Sequence, residues 1–112
     1  MEVGMNIKES DWKIFCEIKS EAAKVFCARQ LDEAIKTITD ESEPVGERFN
    51  FMCQHSKESQ KQMKSIFDGH SRSRAFIQLM QMCEEGLVAP EQFERLSDEL
   101  KKDITSILER RA

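Results

Sequence analysis

The sequence predicts an all-α fold, an irregular four-helix antiparallel bundle with a long N-terminal helical hairpin. Three observations predict it. The chain of 112 residues holds only four glycines and two prolines, and each internal one falls where an apolar rhythm stops. Between these breakers the apolar residues recur at three- and four-residue steps, the period of a helix face. The intervals are rich in Glu, Lys, Gln, Leu, Met and Ala and contain no Tyr, a composition that favours helix over sheet.

The first helix is expected over about Asp11 to Thr39, with Ser10 or Asp11 as its cap. Phe15, Cys16, Ala22, Ala23, Phe26, Ala34, Ile35 and Ile38 form its inward stripe, and Ile14, Ile18, Val25 and Leu31 widen the apolar arc. At 1.5 Å per residue this helix is about 43 Å long, which favours a hairpin. The segment Asp40 to Gly46 supplies the stop, because Pro44 resists helix continuation and restricts Glu43. The second helix is expected from Val45 or Glu47 to Ile66 or Phe67. Its predicted inward residues are Phe49, Met52, Cys53, Ser56, Met63, Ile66 and Phe67, with Phe51 outside the stripe.

Asp68 to Ser71 interrupts the pattern, with Gly69 suited to follow one helix and Ser71 or Ser73 to cap the next. A single bent helix through this point is the alternative. Phe76, Leu79, Met80 and Cys83 give the third helix a compact apolar face, with Ile77 and Met82 beside it, and Gly86 ends it. Leu87 to Ala89 is an apolar connector expected to fold onto the core. Pro90 fits the first turn of a fourth helix, along which Phe93, Leu96, Leu100, Ile104, Ile107 and Leu108 recur.

These elements divide the chain into a flexible lead-in, residues 1–8, and a single helical-bundle domain, residues 9–112. The third helix is much shorter than the first two, so the hairpin is expected to protrude. A homodimer covering the protrusion is a solution with a structural cause. No run approaches the roughly 18 apolar residues of a membrane span, and Met1 to Ser10 lacks the features of a secretory signal. The expectation is a cytoplasmic protein that does not enter a membrane. Cys16, Cys27, Cys53 and Cys83 form no CxxC pair and are read as small buried hydrophobes in a reducing compartment.

The net charge of -4 is unevenly spread. Residues 55–74 carry five lysines and arginines against two carboxylates, a basic segment within an acidic chain. Lys57, Lys61 and Lys64 share a helix face, and Arg72 and Arg74 extend the charge through the next turn. With Trp12, which would seal one end of the bundle or anchor a dimer contact, they are the candidate binding residues. No residues fit a catalytic set, and no cofactor or metal site is readable. Cys53 and His55 point to different faces of a helix, and His70 beside Asp68 has no nucleophile. The expected function is a non-enzymatic protein-interaction or regulatory module acting as a homodimer or on an acidic protein partner. A nucleic-acid-associated regulator using the Lys57 to Arg74 patch ranks behind it, because the rest of the chain is acidic. A small enzyme or metal-binding protein with a site invisible in sequence is the third reading.

Overall fold

Glycine, proline and their polar neighbours set the ends of the helices. The computed structural model describes residues 7–111. They form α1 (Glu9–Ile38), α2 (Val45–Phe67), α3 (Arg72–Glu84), α4 (Pro90–Glu94) and α5 (Asp98–Arg111), with no strand among the described residues. The fold is an all-α, irregular helical bundle. Of the predicted lead-in, only Ile7 and Lys8 fall within the described residues.

Between α1 and α2 the chain turns through Asp40, whose carboxylate accepts the Ser42 backbone N–H at 3.0 Å and the Ser42 hydroxyl at 2.6 Å. The hydroxyl bond, then the backbone one, hold the Asp40 carboxyl below its usual pKa. Arg48 closes the turn by donating to the carbonyls of Ile38 at 2.8 Å and Glu43 at 3.1 Å. α2 and α3 are separate helices, divided where Asp68 becomes extended and Gly69 takes a φ of +80°. The carbonyls freed there are satisfied from the side: fully buried Gln78 donates to Asp68 and Gly69, and Lys19 donates to Gly69 at 2.6 Å. Desolvation lowers the Lys19 pKa from its ordinary value.

α3 ends in a Schellman turn. Gly86, at a φ of +67°, donates to the carbonyl of Cys83, and Leu87 donates to that of Met82. Buried Leu87 supplies the apolar contact that accompanies this motif. Arg29 reaches over from α1 to the carbonyls of Glu85 at 2.8 Å and Gly86 at 2.6 Å, placing positive charge at the negative end of α3.

The predicted fourth helix is divided, so the described residues hold five helices where four are expected. Its break lies at Arg95 to Ser97 and has a cause far away in the chain. Asp11, 3% exposed, accepts the Ser97 backbone N–H at 2.8 Å and the Ser97 hydroxyl at 2.6 Å. The Ser97 oxygen in turn accepts the Leu100 N–H at 3.3 Å, so Ser97 caps α5. Asp11 therefore does not cap its own helix: α1 begins at Glu9, and the residue before it, Lys8, makes no side-chain cap.

The core gathers at one end. Phe15, Ile18, Ala22 and Phe26 of α1 meet Ile66 of α2, then Ala75, Phe76, Leu79, Met80 and Met82 of α3, and Leu87, Leu96, Leu100 and Ile104 beyond. Ile18 and Met82, predicted at the margins, are fully buried. Full burial of one such side chain is worth about 1.5–3 kcal/mol. Past Phe26 no residue of α1 is buried, and Ile66 is the one buried residue of α2. The hairpin runs on past the bundle, giving extents of 52 × 26 × 24 Å. The radius of gyration is 16.9 Å, against about 13 Å for a compact domain of this length.

Candidate interaction surface

The outer part of the hairpin, Cys27 to Ile38 of α1 and Val45 to Gln62 of α2, forms an arm. Helices α1 and α2 face each other there through polar groups. His55 donates from Nε2 to the Gln30 carbonyl at 3.0 Å, Ser59 donates to Gln30 Oε1 at 2.7 Å, and Phe51 stacks on His55 with ring centroids 5.1 Å apart. The residues that turn inward, Arg48, Phe51, His55, Ser59 and Ile66, are spaced at helical steps.

The heavier apolar stripe of α2 is rotated about a quarter-turn away from this seam. Val45 is 75% exposed, Phe49 61% and Met52 42%, and on α1 Leu31 is 63% and Ile35 56% exposed. This corrects the predicted inward faces: Ile35 of α1 and Phe49, Met52, Cys53 and Ser56 of α2 are exposed, and Phe51, placed outside the stripe, is half-buried. It also corrects the cysteines. All four are free, but Cys27 and Cys53 are exposed and Cys16 and Cys83 only half-buried. Burial raises the Cys83 pKa to about 11.

The two sides of the arm differ. On one, a groove of about 660 Å³ at the arm's base is lined by Phe26, Cys27, Gln30 and Leu31 of α1, by Ser59, Gln60, Met63, Lys64 and Phe67 of α2, and by Asp68. Phe26 and Phe67 meet edge to face at its floor, 6.0 Å apart. On the other, Arg29, Glu33, His55, Glu58 and Gln62 line a polar recess. The apolar residues of the arm thus continue one side of the hairpin, not a random scatter.

Lys57, Lys61 and Lys64 are exposed on α2, and among the described residues none of them makes a side-chain hydrogen bond or ion pair. Lys64 also lines the apolar groove, whereas Lys57 and Lys61 stand further round α2 from the apolar stripe. The two arginines of the sequence patch stand elsewhere. Arg72 pairs with Glu9 and lies over the Trp12 ring at 5.3 Å. Exposed Arg74 lies beside Gly69, where a Cβ would come within 3.3 Å of its Nε.

Trp12 is half-buried within an aromatic cluster of its own chain, stacked on Phe15 at 5.6 Å and tilted against His70 at 4.9 Å. Cys16 lies 3.7 Å from His70 Nε2, and Lys19 3.3 Å from His70 Nδ1. His55 and His70 belong to separate clusters. Among the described residues no three His, Cys, Asp or Glu side chains are grouped to hold a metal ion, and no helix is long and apolar enough to cross a membrane.

No family model, curated protein or solved structure matches this chain. Its function has to be read from the surface itself. Leu31, Ile35 and Val45 are the surface residues that sequence reasoning missed. The signal that could have found them was already in the helix lengths, since a short third helix leaves the far half of the hairpin nothing to bury against.

Proposed function

We propose that this chain is a protein-interaction module whose binding surface is the apolar side of the arm. The observation that carries the reading is the contrast in exposure between Leu31, Ile35, Val45, Phe49 and Met52 and the closed core at the other end. A contiguous exposed apolar face with a polar margin marks an interaction site. The hairpin presents that face on two helices whose geometry is fixed at the base by the bundle, so little ordering is lost on binding. Lys64 stands at the margin, with Lys57 and Lys61 further round the same helix, and their exposed charge speeds the encounter with an acidic protein surface more than it deepens affinity. Arg72 and Trp12 are engaged with each other and with Glu9, His70 and Phe15, so the proposal places the binding residues on the arm.

The test is photo-crosslinking in cells, with benzoylphenylalanine in place of Phe49 on the arm and, as control, in place of exposed Lys102 on α5. The expected result is discrete protein adducts from the arm position and none from the control. No adduct at Phe49, or equal adducts at both positions, overturns the reading.

A further inference from the structure

Where α2 gives way to α3, within the bundle and away from the tip of the arm, side chains from three elements meet. Cys16 and Lys19 come from α1, His70 from the turn opened by Gly69, and Arg74 from the first turn of α3. Cys16 is half-buried, and its Sγ lies 3.7 Å from His70 Nε2. It is the nucleophile that His70 lacks in its own stretch of sequence, brought in from 54 residues away.

The neighbours of the His70 ring decide which nitrogen carries its proton. The Lys19 ammonium has three hydrogens and no acceptor. They go to the Gly69 carbonyl at 2.6 Å, to Gln78 Oε1 at 3.3 Å and to His70 Nδ1 at 3.3 Å. Gln78 cannot turn its amide round, because its nitrogen donates to the carbonyls of Asp68 and Gly69. His70 Nδ1 is therefore an acceptor, the neutral ring carries its proton on Nε2, and that proton faces the Cys16 sulfur. Trp12 and Phe15, with ring centroids 4.9 and 6.4 Å from that of His70, hold the ring in place.

The surrounding charge is positive on balance. Burial, the largest influence, and the charge of Arg74 lower the Lys19 pKa, while Cys16 and Asp68 raise it, so these groups lie within electrostatic range of one another. Arg74 is exposed, and among the described residues its guanidinium makes no side-chain hydrogen bond or ion pair. Lys13 stands one turn before Cys16 on α1. Of the nearby carboxylates, Glu9 is paired with Arg72 and Glu17 with Arg95, which leaves Asp68.

We propose that Cys16 is a site of reversible S-thiolation that takes up a small anionic disulfide of the glutathione type. The site is separate from the binding surface of the arm. Cys16 loses its proton to solvent and its thiolate attacks one sulfur of the disulfide. One S–S bond forms and one breaks, the Cys16 sulfur is oxidised, and the displaced sulfur leaves reduced, as a thiolate. His70 Nε2–H and the Lys19 ammonium face the negative charge that this exchange spreads over the sulfurs, and Arg74 draws in the carboxylates of the reagent. No other cysteine is placed to displace the adduct. Cys27 is eleven residues further along α1, about 16 Å away. Cys83 lies at the far end of α3, by the turn that Arg29 holds, and Cys53 is on the arm. The product therefore stays a mixed disulfide until an external thiol removes it.

The experiment treats the folded chain with glutathione disulfide at pH 7, quenches with acid and maps adducts on the four cysteines by peptide mass spectrometry. Iodoacetamide serves in parallel as a neutral reagent. Cys16, although less exposed than Cys27 and Cys53, is expected to react with glutathione disulfide about tenfold faster than either, and dithiothreitol to reverse the adduct. His70→Phe keeps a ring beside Trp12 and removes the donor, and is expected to slow both reagents at Cys16 about fivefold. Arg74→Gln is expected to slow glutathione disulfide about threefold and leave iodoacetamide unchanged. Circular dichroism checks that both variants keep their helix content. A Cys16 that reacts with the disulfide no faster than Cys27 and Cys53 overturns the proposal. So does a Cys16 rate unchanged in both variants.

Discussion

The two ends of the hairpin are made of the same two helices under opposite rules. At the base, α1 turns Phe15, Ile18, Ala22 and Phe26 into the bundle and α2 contributes Ile66, all buried. Polar groups there serve the core: Gln78 and Asp11 are buried, and each bonds backbone that a helix end has left open. In the arm the arrangement is inverted. Gln30, His55 and Ser59 fill the seam while Leu31, Val45 and Phe49 face solvent. A fold that needed only its own stability would have no use for large apolar groups on the outside of a polar seam. The difference teaches that burial at the base holds the chain together, while the arm is closed by polar contacts and leaves its apolar groups in solvent.

The largest effect that separates the two regions comes from emptying each. Leu79→Ala removes a fully buried side chain and is expected to destabilise the monomer by about 2–5 kcal/mol. Leu31→Ala on the arm is expected to cost less than about 0.5 kcal/mol. Urea denaturation at a concentration where the chain is monomeric measures both, and equal losses would erase the distinction. Next come the carboxylates. Asp11→Ala leaves the half-buried Ser97 N–H and hydroxyl without their acceptor and is expected to cost about 1–3 kcal/mol, with loss of amide protection beginning in α5. Asp40→Ala breaks bonds in an exposed turn and should shift stability by a few tenths of a kcal/mol. A mild Asp11 variant would show that α5 docks without that anchor.

How far these features could be read in the sequence depended on whether their cause was local. The ends of α2 and α3 were legible, since Pro44, Gly69 and Gly86 act within a turn of where they stand. The division at Ser97 was not, because the carboxylate that selects it belongs to Asp11, at the other end of the chain. The direction of α2 was also hidden. Its sequence carries two stripes, one through Phe51 and His55 and one through Phe49 and Met52, and periodicity does not say which meets α1. Ordinary burial logic favours the more apolar stripe, and the arm reverses that logic. The lysine stripe was legible as a face, but the pairing of Arg72 with Glu9 and Trp12 required the fold.

A smaller effect compares two glycines. Gly86 closes α3 at positive φ, so Gly86→Ala is expected to destabilise by about 1–2 kcal/mol through backbone strain. Its new Cβ would meet nothing closer than Arg29 at 3.7 Å, so sterics add little. Gly46, in the first turn of α2 with open space around it, is the converse. Gly46→Ala should stabilise the arm by about 0.5–1 kcal/mol by removing backbone freedom from the unfolded chain. Thermal unfolding of the two variants should therefore move in opposite directions, and a shared direction would count against the turn geometry at one of them.

The effect that is smallest at neutral pH, and emerges only in the alkaline range, contrasts Cys83 with Cys53. Burial raises the Cys83 pKa from 9.0 to about 11, so its thiolate fraction at pH 8 is about one in a thousand. A disulfide reagent applied at low protein concentration should modify exposed Cys53 before Cys83. Over the same interval the folded chain holds a proton that the unfolded chain releases. Stability linked to this thiol is thus intact below pH 9 and lost as the pH rises toward 11. Cys83→Ala should flatten that part of the stability profile, whereas Cys53→Ala should leave it in place. If the two thiols were modified together, or if the alkaline slope survived in Cys83→Ala, the base of the hairpin would be as open to solvent as the arm.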